Sequence, residues 1–161
     1  MKSAHNSPIL VTGAAGDLGA IGRNLTALLL RNGHKVRALI RREDERAEAL
    51  RRLGAEVVQG DLTDLTSMHR AIESCARIYF GMSVSAAYPE ATFNTAAVAR
   101  HHGVEAFVNM SQMTVTQMSI AKTTGSPQHK LHWLAEHAER KASGGGRASA
   151  PGQPPHGDGR S

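Results

Sequence analysis

The chain has one cysteine, Cys75, and only one Trp, two Tyr and three Phe among its 161 residues. A lone thiol excludes a disulfide framework and a Cys-x-x-Cys metal pair. So few rings leave little to interleave with cations as a base-stacking surface. No apolar run nears the ~20 residues of a membrane span, and no charged-then-apolar leader opens the chain. The expectation is a cytoplasmic protein without a membrane partner. Charge of one sign is in modest excess, with a formal net charge of +5 and a pI near 9.9. It is not gathered into a stripe: Arg41, Arg42, Arg46, Arg51 and Arg52 alternate with Glu43, Asp44, Glu45 and Glu48. That alternation is the mark of a solvated, ion-paired helix, so nucleic acid is not expected as a partner. Histidine is plentiful at nine residues. His101 and His102 are adjacent, however, and neighbours on a helix point to different sides; the others lack a second ligand at metal spacing. Surface histidines and no metal are expected.

What is present in quantity is glycine, and its placement is informative. Ile9-Leu10-Val11-Thr12 is a short apolar strand that runs into a turn with glycines at 13, 16, 19 and 22. A helix with Leu25, Leu28 and Leu29 in apolar periodicity follows. A strand, a glycine turn and a helix in this order allow a pyrophosphate to approach the backbone, which any Cβ would block. The helix N-terminus then offers free N–H groups and the positive end of a dipole. The competing reading is a flexible glycine loop. The helix start is also open, after Gly16 or nearer Gly19, so the glycine that packs against the first strand is not fixed.

Strand and helix patterns alternate along the chain, as in a parallel sheet covered on both faces. After the first helix, closed at Gly33, strands are expected at Lys35–Ile40, Glu56–Gln59, Arg77–Met82 and Val104–Met110. Helices are expected over Asp44–Leu53, after Asp64 with Leu65, Met68 and Ile72 on one face, and from Pro89 to His102. A polar loop then leads to Ser126-Pro127 and a last helix with Leu131, Leu134 and Ala138 on one side. This predicts a doubly wound α/β sheet in the order 3-2-1-4-5. The domain is expected to cover residues 8–142, with residues 1–7 flexible. Residues 143–161, rich in Gly, Pro, Ser and Arg, are expected to be disordered because they cannot bury enough surface to offset their ordering entropy. A sixth strand would normally follow the last helix, so the fold reads as cut short.

In such a sheet a ligand lies beyond the carboxyl ends of the strands, where the order switches between the first and fourth. Gly13, Gly16 and Gly19 follow the first strand. Arg41 and Arg42 follow the second, where an acidic residue would suit the ribose of NAD; arginine there suits the 2′-phosphate of NADP, so NADP is the expected cofactor with NAD as the alternative. These arginines could instead pair with Glu43 and Glu45. Asp61 and Leu62, after the third strand, are placed either to flank an adenine ring or, for Asp61, to form a simple turn. Gly81 and Met82 end the fourth strand, and Ser111 follows the fifth.

Taken together, VTGAAGDLG, VRALIRRE, GAEVVQGDLTD, FVNMSQM and SPQHKLHWLAEHAER resemble the NmrA-like family of atypical short-chain dehydrogenases/reductases over about residues 8–142. The resemblance implies a Rossmann domain that binds NADP or NAD. It also implies either a reductase passing hydride to a quinone or similar small electrophile, or a non-catalytic redox sensor acting on a protein partner. The chain departs from the wider superfamily where a Tyr-x-x-x-Lys pair is usual on the last helix. Aligning Glu136 with the glutamate that often follows that lysine puts Gln128 and His132 in the two places. Gln128 has no titratable proton. His132 could titrate near neutrality and hold the ribose, or be a partly exposed helix histidine. Ser111, His132 and Met82 are the residues expected to line the reacting space. Relatives continue into a further strand and a small substrate region, absent from this chain, which therefore reads as a truncated or frame-shifted product.

Overall fold

A computed structural model of the chain describes residues 7–16 and 21–142. Five parallel strands form one sheet: β1 (Ile9–Thr12), β2 (Val36–Ile40), β3 (Glu56–Gln59), β4 (Arg77–Phe80) and β5 (Ala106–Asn109). Their order is β3-β2-β1-β4-β5, as the alternating pattern predicts. The register is set at the centre, where Leu10 lies opposite Arg37 on one side and Ile78 on the other. The expectations for residues 1–6, Gly19 and the segment from residue 143 onward lie outside the described residues.

Five helices alternate with the strands: α1 (Ile21–Arg31), α2 (Glu45–Arg52), α3 (Leu65–Ile72), α4 (Tyr88–His101) and α5 (Pro127–Ala142). Their starts follow from side-chain chemistry. Asp44 accepts from the amides of Arg46 and Ala47 at 2.9 and 3.3 Å, and Asp64 accepts from Ser67 at 2.7 Å. Each carboxylate satisfies donors that the first turn leaves unpaired. Pro89 sits in the first turn of α4, where its missing N–H costs nothing.

Two apolar layers hold the sheet. Ile9, Val11, Val36, Ala38 and Ile40 pack on one face with Ala47 and Leu50 of α2 and with Leu29 and Leu30 of α1. Leu10, Leu39, Ile78 and Phe80 face the other way, against Met68 and Ile72 of α3, Tyr88 and Val98 of α4, and Ala135 of α5. The alternation along β1 and β2 is the period-two geometry of a strand serving both layers.

Several boundaries and faces differ from the sequence reading. β4 ends at Phe80, two residues earlier than its apolar run, and β5 starts two residues later, at Ala106. The loop before α5 contains a short 3-10 helix over Met113–Gln117 that pins the buried Val115. On α5 the buried face is His132, Trp133, Ala135 and Glu136, whereas Leu134 is 45% exposed and Ala138 is exposed. The leucine stripe pointed to the wrong side because two polar residues occupy the packed face. Leu65 and Leu28 are likewise exposed at 54% and 47%.

Candidate functional site

The carboxyl ends of β1 and β4 are joined by one side chain. The Thr12 hydroxyl donates to the Gly81 carbonyl and accepts from the Gly81 amide, each at 2.9 Å and fully buried. Directly above, Gly13 has φ +72°, and a Cβ there would lie 2.6 Å from the Gly81 oxygen. Any side chain at 13 would therefore be both strained and blocked. Gly16 closes the turn through its amide, which donates to the Gly13 carbonyl at 3.1 Å.

The glycine that lets the helix close on the turn is Gly22. A Cβ at that position would be 2.7 Å from the Gly13 oxygen and 2.9 Å from the Ala14 Cα. Gly22, in the first turn of α1, thus makes a backbone-to-backbone contact with the turn. Thr26, one turn on, is buried and donates to the Gly22 carbonyl at 2.8 Å.

A cavity of about 240 Å³ opens beside this turn, bordered by Ala14 and Ala15 on one side and Arg46 and Arg52 of α2 on the other, with Arg23 of α1 also on its wall. Arg23, Arg46 and Arg52 were not among the residues expected at the site. Arg41 and Arg42 lie exposed at the end of β2. Of the nearby carboxylates, Arg51 holds Glu43 at 2.7 Å and Glu48 at 2.6 Å, and Arg46 binds Asp44. Among the described residues no carboxylate forms an ion pair with Arg41 or Arg42. Both guanidinium groups remain available to an anion.

Beyond β3, Asp61 forms a turn. Its Oδ1 accepts from the Thr63 amide at 2.9 Å and from the Thr63 hydroxyl at 2.7 Å. These bonds, together with the nearby Arg41 charge, hold its carboxyl below the usual aspartate value. Leu62 packs against the core, and its carbonyl accepts from the Asn94 side chain at 3.3 Å. Met82 also packs on the core at the end of β4.

Past β5, Ser111 is exposed and its hydroxyl donates to the Gln112 carbonyl at 3.3 Å. His132 is fully buried, stacked on Tyr88 with ring centroids 3.3 Å apart, and neither ring nitrogen has a hydrogen-bond partner. Tyr88 in turn donates to the Asn109 side chain at 3.0 Å. α5, α4 and the end of β5 are thus tied through one buried polar column. Two expectations for His132 are corrected here. It is not partly exposed, and it does not titrate near neutrality, because burial lowers its pKa to about 4. Cys75 is no nucleophile either: burial pushes its thiol up to about 11.

Residues 13–143 match a family described as NAD(P)H-binding. The chain belongs to it. Membership in the NAD(P)H-binding family agrees with the NmrA-like resemblance, and the backbone cradle at Gly13 and Gly22 fits the pyrophosphate of such a cofactor. A segment of 70 residues is 50% identical to sterol demethylase protein B of Methylococcus capsulatus, covering 44% of this chain and 20% of that protein. Among solved structures, the Citrobacter sp. triphenylmethane reductase complexed with NADP(H) is 25% identical, with a TM-score of 0.61, over 84% of this chain and 46% of its own. The Escherichia coli O157:H7 anaerobilin reductase ChuY is 23% identical with a TM-score of 0.67, over 81% of this chain and 66% of that one; it shares the fold. The chain thus spans about half the length of the reductase it matches. Among the described residues no helix is long and apolar enough to cross a membrane.

Proposed function

We propose that this chain is the cofactor-binding part of an NADP(H)-preferring oxidoreductase that passes hydride to a quinone or a similar small electrophile. The observation that carries the preference is the pair of exposed guanidinium groups, Arg41 and Arg42, at the end of β2, with no ion-pair partner among the described residues. In this position charge and bidentate geometry favour a 2′-phosphate over a bare ribose. Arg23 lies on the wall of a cavity beside the glycine turn.

The nicotinamide supplies the hydride when bound. The residues of this chain supply placement. Gly13, Gly16 and Gly22 receive the pyrophosphate at the backbone, and the N-terminus of α1 offers amides to that charge. Asp61 and Leu62 border the adenine. Gly81, Met82 and Ser111 border the reacting end, with Ser111 offering an exposed hydroxyl. His132 contributes no proton at neutral pH, since its ring is neutral and enclosed. With Gln128 in the place of the usual tyrosine, that place holds no titratable proton, and the chemistry is one of orientation.

A second reading is favoured by that same lack of an acid: a sensor that binds NADP(H) without turnover and signals to a protein partner. The deciding experiment measures NADPH and NADH affinity by calorimetry and NADPH oxidation with a panel of quinones. Tighter NADPH binding with quinone-dependent oxidation supports the reductase. Tight binding with no oxidation of any acceptor supports the sensor. Equal affinity for the two nucleotides overturns the preference.

A further inference from the structure

The geometry points to a divalent transition-metal site formed by His69, His101 and His102, at the end of the molecule away from the glycine turn. One ligand nitrogen from each of the three side chains lies within 4.8 Å of the others. The His69 Nδ1 and His102 Nε2 atoms are 3.0 Å apart. Two imidazole ligands on a tetrahedral zinc, each at about 2.0–2.1 Å, would have nitrogens roughly 3.3 Å apart. The spacing already present is therefore near the one the ion requires, and His101 needs only a modest ring adjustment to close the third edge.

Adjacency in sequence had argued against His101 and His102 as co-ligands. His69 removes that objection, because its ring stands against both, with centroids 5.9 Å from His101 and 4.7 Å from His102. The packing of α3 against α4 makes this possible. His69 belongs to the last turn of α3, His101 to the last turn of α4, and His102 is the C-cap of α4. Two helix C-termini therefore meet at the cluster, and the negative ends of their dipoles favour a cation there.

The donor set selects the class of ion. Three imidazoles without thiolate suit Zn2+, Ni2+ or Cu2+ rather than Mg2+ or Ca2+, and the exposed side leaves a fourth position to water. In a parallel α/β sheet the helix C-termini lie at the opposite end from the carboxyl ends of the strands. The ion would thus clamp α3 to α4 without touching the nucleotide.

The test uses the full chain, stripped with a chelator and titrated with ZnCl2 by calorimetry, alongside His69→Gln, His101→Gln and His102→Gln. We expect one Zn2+ per wild-type chain, bound at least tenfold more weakly by each variant. We also expect Zn2+ to raise the wild-type melting temperature by several degrees and to leave the His69→Gln melting temperature unmoved. Far-UV circular dichroism checks that the variants, altered at exposed or half-buried positions, remain folded. Binding only in the millimolar range, or tight binding unchanged in His69→Gln, would overturn the assignment; the second outcome would place the ion on other histidines of the chain.

Discussion

Thr12 and Gly81 hold one another through two hydrogen bonds made by a single hydroxyl, at 2.9 Å each, across the boundary between β1 and β4. That boundary is where the sheet order turns and where the glycine turn begins. The bonds fix the height of Gly81 beneath Gly13, whose missing Cβ would otherwise meet the Gly81 oxygen.

Replacing Thr12 by Val keeps the shape but leaves the buried amide and carbonyl of Gly81 without this partner. Each such group costs about 1–3 kcal/mol, so urea denaturation should show a loss of about 2–6 kcal/mol. Thr12→Ser should recover most of it. A Val variant as stable as the wild type would show that the clamp contributes little.

Gly22→Ala tests the close approach of α1 to the turn. The added methyl meets backbone atoms of Gly13 and Ala14 rather than flexible side chains, so it must push the helix away. A loss of about 1–3 kcal/mol is expected from such overpacking, together with weakened NADPH binding measured by calorimetry. Unchanged affinity would separate the helix position from the phosphate cradle.

Arg41→Ala combined with Arg42→Ala should weaken NADPH more than NADH. The difference expected is about 1.5–3 kcal/mol, the range of hydrogen bonds to charged groups, or roughly 10- to 100-fold in the ratio of dissociation constants. Equal losses for the two nucleotides would mean that these side chains do not read the phosphate.

Stability should also depend on pH through His132. Its folded pKa, about 4, lies below the ordinary histidine value of 6.5. The unfolded chain therefore binds the extra proton first as pH falls. Stability is complete above the unfolded value and is lost on acidification from about 6.5 toward 4. Between pH 7 and pH 5 this should cost about 2 kcal/mol. His132→Phe, which keeps a ring against Tyr88, should flatten that part of the profile. Asp61 and Asp64, whose pKa values are lowered by hydrogen bonds to Thr63 and Ser67, act only at lower pH. A variant with the same slope as the wild type would assign the dependence to other groups.

The strand order, the glycine turn and the capping role of Asp64 were legible in the sequence, whereas Asp44, read as helical, is the N-cap of α2. Asp44 and Asp64 cap helices wherever a helix begins after them, and Ile9 to Thr12 reads as a buried strand from its residues alone. The packed face of α5 was not legible. His132 and Glu136 are polar residues on the buried side, while Leu134 stands half exposed, so an apolar stripe misdirects. The contact of Gly22 with the turn depends on the phase of α1, which the glycine spacing alone does not fix. Nor could spacing reveal that His69 meets His102, a pairing made by two helices packing 33 residues apart. The turn at Asp61 was one of two readings, and the structure shows its Oδ1 engaged in it.

The central place of β1 has a consequence for how the protein is made. Its two neighbours are β2, close in sequence, and β4, whose Gly81 is 69 residues beyond Thr12. On the ribosome the glycine turn emerges early and waits without its floor until Gly81 follows. Closing so long a loop is a late and entropically costly event. The nucleotide-binding surface therefore comes into being only when folding is nearly done, and a nucleotide that binds it stabilises the finished domain and not the nascent half.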